Sequence, residues 1–225
     1  METFAKDTDG FFARNFDRKI SGAISRRLLR TSVTPNQITI FVTGLGVIAG
    51  VFMARPGYGP KVGGAFLFLL TSILDGCDGE VARAKQLTSK VGGWLDLWGD
   101  NVVHVAVFYG LSRGLYKDSG RSVYLSLGWA AVAGTLISAA LASFQTYRQG
   151  RSSFTSVMGD EKAAGSASAW ERQLVKASDA LARRDFIYGV VVLALLGHLE
   201  WFLWPCAVGV NLYAAVLILL FFSTR

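Results

Sequence analysis

Cysteine is almost missing from this 225-residue sequence. Cys77 and Cys206 stand far apart, with neither the density of a disulfide framework nor the spacing of a zinc site. Both read as small buried apolar residues. Charge is scarce as well: Asp, Glu, Lys and Arg make up 17% of the chain, against about 25% in soluble domains. That shortage excludes disorder, a coiled coil and an ordinary soluble enzyme. Charge vanishes entirely from residues 31–54, 122–147 and 201–224, and about 20 apolar residues suffice to cross a bilayer core. Residues 1–30 are too charged to hold the apolar core of a secretory signal, so the first spanning helix is expected to be the targeting element itself. No internal repeat or second domain is visible. What remains is apolar, with 52% hydrophobic residues and a mean hydropathy of +0.38. The sequence predicts an all-α integral membrane protein.

Six spanning helices can be drawn, at roughly 35–54, 62–82, 92–115, 122–146, 185–199 and 202–222. An even number puts both termini on one side. With that topology the terminus side carries 18 Lys and Arg residues and the opposite side 5, which predicts cytoplasmic termini in the cell membrane. This asymmetry accounts for the net charge of +7 without any nucleic-acid partner. Residues 1–34 form the cytoplasmic N-terminal segment and 35–225 the membrane domain. Within the former, Phe12, Phe16, Ile20, Ile24 and Leu28 recur every four residues, with arginines on other faces. The pattern predicts an amphipathic helix lying in the membrane interface, rather than a solvated basic arm. Thr34 is placed to cap the first span, with Pro35 in its first turn. Residues 148–184 form the longest polar connection, whose second half, from about Trp170, suits a helix.

The chemistry concentrates in residues 75–100, DGCDGEVARAKQLTSKVGGWLDLWGD. An intramembrane carboxylate costs about 2.5–3.5 kcal/mol at midplane and less near an interface, so four such residues need compensation. Asp75, Asp78 and Ala82 share one helical face, and Gly92, Asp96 and Asp100 share another. A turn centred near Leu87 would place Asp78 level with Asp96, and Asp75 level with Asp100. Four carboxylates so close cannot all stay ionised without a cation, and an oxygen-only donor set favours Mg²⁺, Mn²⁺ or Ca²⁺ over zinc. Gly76, Gly79, Ala82, Gly92 and Gly93 are expected to leave room for a ligand, and Arg83 offers a cation to a phosphate.

The pattern Asp75-x-x-Asp78-Gly79-x-x-Ala82-Arg83, eight residues, then Gly92-x-x-x-Asp96-x-x-x-Asp100 resembles the signature of the CDP-alcohol phosphotransferases at every defined position. The N-terminal text DGFFARNFDRKIS…ISRRLL…TPNQIT also resembles the membrane domain of di-myo-inositol phosphate phosphate synthases. Some of those carry a fused cytidylyltransferase domain, which is not expected within these 225 residues. The resemblance implies transfer of a substituted phosphate from a CDP-alcohol to a second alcohol, with release of CMP. It implies that Asp75, Asp78 and Asp96 hold one or two Mg²⁺ or Mn²⁺ ions, Asp75 also facing the nucleotide pyrophosphate. Asp100 would act as general base with some metal contact. Gly79 and Ala82 would line the cytidine site, and Arg83 would meet the phosphates. It further implies a homodimer surrounded by membrane lipid.

Other residues admit two readings each. Arg148 and Arg151, with Lys176, Arg183 and Arg184, either bind a phosphorylated acceptor such as inositol phosphate or glycerol phosphate, or serve only as positive-inside anchors. Asn36 and Thr39 either contact the nucleotide or cap and pack the first span. His104 either supports Asp100 or packs in the core; His198 and the tryptophans read as structural. The donor is either a CDP-diacylglycerol-like lipid or CDP-inositol. An ion or proton transporter would also use intramembrane acids, but should place them near midplane with a polar path beyond. Here the acids cluster at one end. A structural scaffold would leave their cost unexplained.

Overall fold

The computed structural model describes residues 16–148 and 185–223. Among these residues every regular element is a helix: α1 (Arg18–Leu28), α2 (Pro35–Met53), α3 (Tyr58–Ala84), α4 (Lys90–Ser119), α5 (Val123–Arg148), α6 (Phe186–Leu195) and α7 (Glu200–Ser223). Four of them are long and apolar enough to cross a membrane, namely α2, α3, α5 and residues 200–221 of α7. Helix α4 is 30 residues long but carries charge along its length, and α6 has ten residues. The protein is thus a helical membrane protein.

Local chemistry sets the helix ends. Thr34 accepts the Gln37 amide at 3.4 Å while Gln37 accepts the Thr34 amide at 3.0 Å, and Pro35 opens the helix behind this reciprocal cap. Ser89 caps α4 by accepting the Gly92 amide at 3.0 Å. Between them, α3 stops at a left-handed residue that is not glycine: Gln86 has φ of 57°. The Leu87 amide then reaches back to the Ala82 carbonyl and the Gln86 amide to that of Arg83, the pattern that closes a helix with a left-handed residue. Lys85 holds the reversal by donating to the carbonyls of Thr31 and Val33 at 2.7 and 2.9 Å.

Although α3 and α4 are consecutive, they scarcely touch. Helix α2 lies between them and packs extensively on both; α5 packs on the far side of α4, and α7 on α5. Close approach of α2 to α4 depends on paired glycines. A Cβ on Gly110 would collide with the Gly50 carbonyl, one on Gly114 with the Met53 carbonyl, and one on Gly46 with Val103. Where helices cannot gain from the hydrophobic effect in lipid, such small-residue contacts let backbones meet. Gly44, two residues before Gly46 on α2, has open space around it instead. Between α5 and α7, Asn211 donates to the Ala130 carbonyl across the interface at 2.9 Å.

Away from the Lys85–Ser89 turn, at the other end of α3 and α4, the buried Lys61 pairs with Asp118, which also accepts the Gly57 amide at 2.8 Å. Partial burial works against ionisation of Asp118, but the hydrogen bonds from Lys61 and Gly57 and the Lys61 charge outweigh it and hold the carboxyl below its ordinary range. The apolar stripe of α1 divides. Ile24 and Leu28 pack beside Cys77 and Val81, whereas Phe16 and Ile20 are exposed; Phe12 lies outside the described residues.

The glycine seam yields a paired expectation. Gly110→Ala should destabilise by about 1–3 kcal/mol through overpacking, whereas Gly44→Ala should leave stability unchanged or slightly raised. Thermal unfolding of the two variants in detergent checks this.

Candidate active site

The last turns of α3 and the first turns of α4 carry the acidic side chains. Carboxylate oxygens of Asp75, Asp78 and Asp96 all lie within 4.8 Å of one another. Asp78 is buried, and Asp75 and Asp96 are half-buried. Asp100, one turn farther along α4, is half-buried and stands outside this trio. Although α3 and α4 scarcely touch, α2 packs on both, and Asp75 and Asp78 of α3 meet Asp96 of α4.

Helix α2 also orients the trio. Thr39 donates its hydroxyl to Asp78 Oδ2 at 2.5 Å, and the Gly79 amide donates to Asp78 Oδ1 at 2.5 Å. A hydroxyl has a single proton to give, so the Asp78 bond uses it, with the Pro35 carbonyl 3.2 Å away as the helical alternative. The methyl of Thr39 faces Gly99 of α4, where an added Cβ would lie 3.5 Å from it and 2.6 Å from the Thr43 hydroxyl. One residue of α2 therefore touches both acid-bearing helices. The sequence left Thr39 open between ligand contact and packing; the structure makes it a hydrogen-bond donor to Asp78.

The expected ligand-admitting glycines do different things. Gly76 lies under Arg18 and Ser21 of α1, and Gly92 faces Asn36 of α2. Their missing side chains admit neighbouring helices, which corrects the expectation of ligand space at those two positions. Over Gly79 the Arg83 guanidinium folds back, 3.2 Å from where a Cβ would stand. Arg83 is exposed and Ala82 half-buried at this end of α3. Arg148 is exposed at the end of α5, while Arg151, Lys176, Arg183 and Arg184 lie outside the described residues. His104 sits among Phe68, Phe108 and Phe186, with ring centroids 6.0, 5.6 and 6.4 Å away. His198 is exposed beside Glu200. Both cysteines are free and buried, as expected.

The residue that sequence reasoning missed is Glu80. It is 1% exposed and accepts hydrogen bonds from Ser21 and Arg18 of α1. Its signal was available: a third acid inside the same helix, two residues past Asp78 and so turned about 200° from it.

The chemistry of the trio fits a divalent cation. Three carboxylates this close repel unless a cation lies among them, and oxygen donors alone suit Mg²⁺ or Mn²⁺. Residues 32–208 match the family described as CDP-alcohol phosphatidyltransferase. The chain belongs to that family. It is 42% identical over 107 residues to the bifunctional IPC transferase and DIPP synthase of Aquifex aeolicus, covering 48% of this chain and 24% of that protein. It is 33% identical over 102 residues to the phosphatidylinositol phosphate synthase of Mycobacteroides abscessus, covering 45% and 46%. The matched stretches thus span a quarter to a half of these relatives. The fold is shared with the Mycobacterium tuberculosis phosphatidylinositol phosphate synthase solved with CDP-DAG bound. That likeness has a TM-score of 0.54 at 21% identity over 90% of this chain and 89% of the other.

Thr39→Val keeps the shape of the side chain and removes the proton that Asp78 accepts. Loss of such an outer contact costs about 10–100-fold in metal affinity, and the variant should show that loss in a Mn²⁺ titration followed by electron paramagnetic resonance. An unchanged Kd would show the bond to be idle.

Proposed function

We propose that this protein transfers a substituted phosphate group from a CDP-alcohol to the hydroxyl of a second alcohol and releases CMP. The observation that carries this reading is the convergence of Asp75, Asp78 and Asp96 at one end of the helices, within a chain of the CDP-alcohol phosphatidyltransferase family. These three residues would hold one or two Mg²⁺ or Mn²⁺ ions. Bound there, the metal would offset negative charge on the diphosphate and on the departing CMP. The position of the trio beside the α3–α4 turn, away from the middle of the helices, suits a substrate arriving from the membrane surface better than a transport path.

The remaining roles are those that the family signature implies for these residues. Arg83 is an exposed guanidinium beside the trio and meets the phosphates by charge-assisted hydrogen bonds. Gly79 and Ala82, on the open side of α3, line the cytidine. Asp100, outside the trio but one turn from Asp96, takes the acceptor proton as the acceptor oxygen bonds to the phosphorus carrying the donor alcohol. The phosphorus–oxygen bond to CMP breaks in the same step, and CMP leaves with the electron pair. No nucleophilic side chain of this protein takes part, so the configuration at phosphorus inverts; retention would contradict the scheme.

The donor is of the CDP-diacylglycerol or CDP-inositol type. The relatives' names, DIPP synthase and phosphatidylinositol phosphate synthase, point to an acceptor of the inositol phosphate kind. Arg148, exposed at the end of α5, would receive its phosphate, together with Arg151, three residues on in the chain. The full arrangement is a homodimer in the cell membrane, with six spans per chain, an interfacial N-terminal helix, and termini and active site toward the cytoplasm.

Purified full-length protein should release CMP from one member of a panel of CDP-alcohols and acceptors when Mg²⁺ or Mn²⁺ is present, and cease when it is chelated. Asp100→Asn should lower turnover by about 10²–10⁴-fold, the usual contribution of a general base. Failure to release CMP with any pair would overturn the reading. In the active pair, Arg148→Ala should raise the acceptor KM and leave the CDP-alcohol KM unchanged; an unaltered acceptor KM would return Arg148 to a purely topological role.

A further inference from the structure

Behind the carboxylate trio, α3 is gripped from its other side by α1. Glu80 Oε1 accepts the Ser21 hydroxyl at 2.9 Å and the Arg18 guanidinium at 3.3 Å, while Glu80 Oε2 is buried with no hydrogen-bond partner among the described residues. The contact is fitted at backbone level. A Cβ on Gly76 would stand 3.4 Å from Arg18 Nη1 and 3.6 Å from Ser21 Oγ. Cys77 Sγ lies 3.6 Å from the Ser21 carbonyl. Helix α1 buries Ser21, Gly22 and Ser25 rather than its large apolar residues. Its N-terminal end is tied elsewhere, since Asp17 accepts the hydroxyl of Tyr188 on α6. A buried ion pair seldom adds stability over apolar residues of the same volume. Its use here is geometric.

We infer that Arg18, Ser21 and Glu80 form a positioning lock for the metal-binding acids, resting on the function proposed above. Thr39 holds the end of α3 through Asp78 on one side. Glu80, about 200° around the helix, holds it through α1 on the other. With both engaged, α3 cannot rotate about its axis, and Asp75 and Asp78 stay aimed at Asp96. The N-terminal helix is by this inference part of the metal centre's support, besides any role as a membrane anchor.

Charge and position predict different signs, which makes the lock testable. Full-length protein in detergent is titrated with Mn²⁺ alone, and free Mn²⁺ is read by electron paramagnetic resonance. If the lock positions the acids, Glu80→Ala, Arg18→Ala and the charge-balanced double variant should each raise the Mn²⁺ Kd by about tenfold or more, the scale of outer-sphere losses. If Glu80 and Arg18 act only through their charges, Glu80→Ala should weaken binding, Arg18→Ala should tighten it, and the double variant should resemble wild type. That pattern overturns the lock, as does an unchanged Kd in all three. Should a charge-altering variant fail to fold, Ser21→Ala and Glu80→Gln, which introduce no uncompensated negative charge, carry the same expectation of a raised Kd, and unaltered values in both would overturn it. Glu200→Gln, at the half-buried start of α7, is the control with no effect expected. A wild-type protein that binds no Mn²⁺ and releases no CMP would refute the proposed function. Normal wild-type behaviour with indifferent lock variants would refute the lock alone.

Discussion

Carboxylate groups held within 4.8 Å of one another in a half-buried setting oppose their own assembly, and everything around Asp75, Asp78 and Asp96 follows from keeping them there. Two of these acids belong to α3 and one to α4, helices that hardly meet. The force that holds them close comes from α2, which packs on both. Its glycines let it approach α4 to backbone contact, and its Thr39 hydroxyl bonds Asp78. A helix that supplies none of the acids determines where they sit.

Within the described residues, polar contacts concentrate at the two ends of the helices and serve different ends. At one end, Lys61, Asp118 and the Gly57 amide tie the start of α3 to the end of α4. At the other, Lys85 secures the α3–α4 reversal and Glu80 receives α1. Between them the contacts are mostly apolar, with Asn211 bridging α5 and α7 and His104 enclosed by aromatic rings. Charges sited at helix ends cost less than charges at midplane. The same siting leaves the carboxylate trio on the Lys85–Ser89 side of the helices.

Much of this was legible in the chain. The charge-free runs gave the helices, Thr34 and Pro35 gave the start of α2, and the turn near Leu87 was found where Gln86 adopts its left-handed conformation. The spacing of Asp75, Asp78, Asp96 and Asp100 was enough to select four acids as a candidate metal site, because helical periodicity puts each pair on one face of its helix, and the structure brings three of them together. Less legible was the use of the glycines. Gly76 and Gly92 make room for α1 and α2, and Gly44 makes room for nothing, although all three look alike in sequence. A glycine declares a missing side chain without saying what fills the space.

By itself, then, the sequence determined the properties that depend on local pattern: helical class, membrane residence, the acid faces and the reversal between them. Only the tertiary structure decided which acids meet, that Thr39 bonds Asp78, and that Glu80 faces α1. Those outcomes depend on which helix lies between which others. Residue spacing fixes direction around a single helix axis; it carries no information on the neighbour that the direction finds.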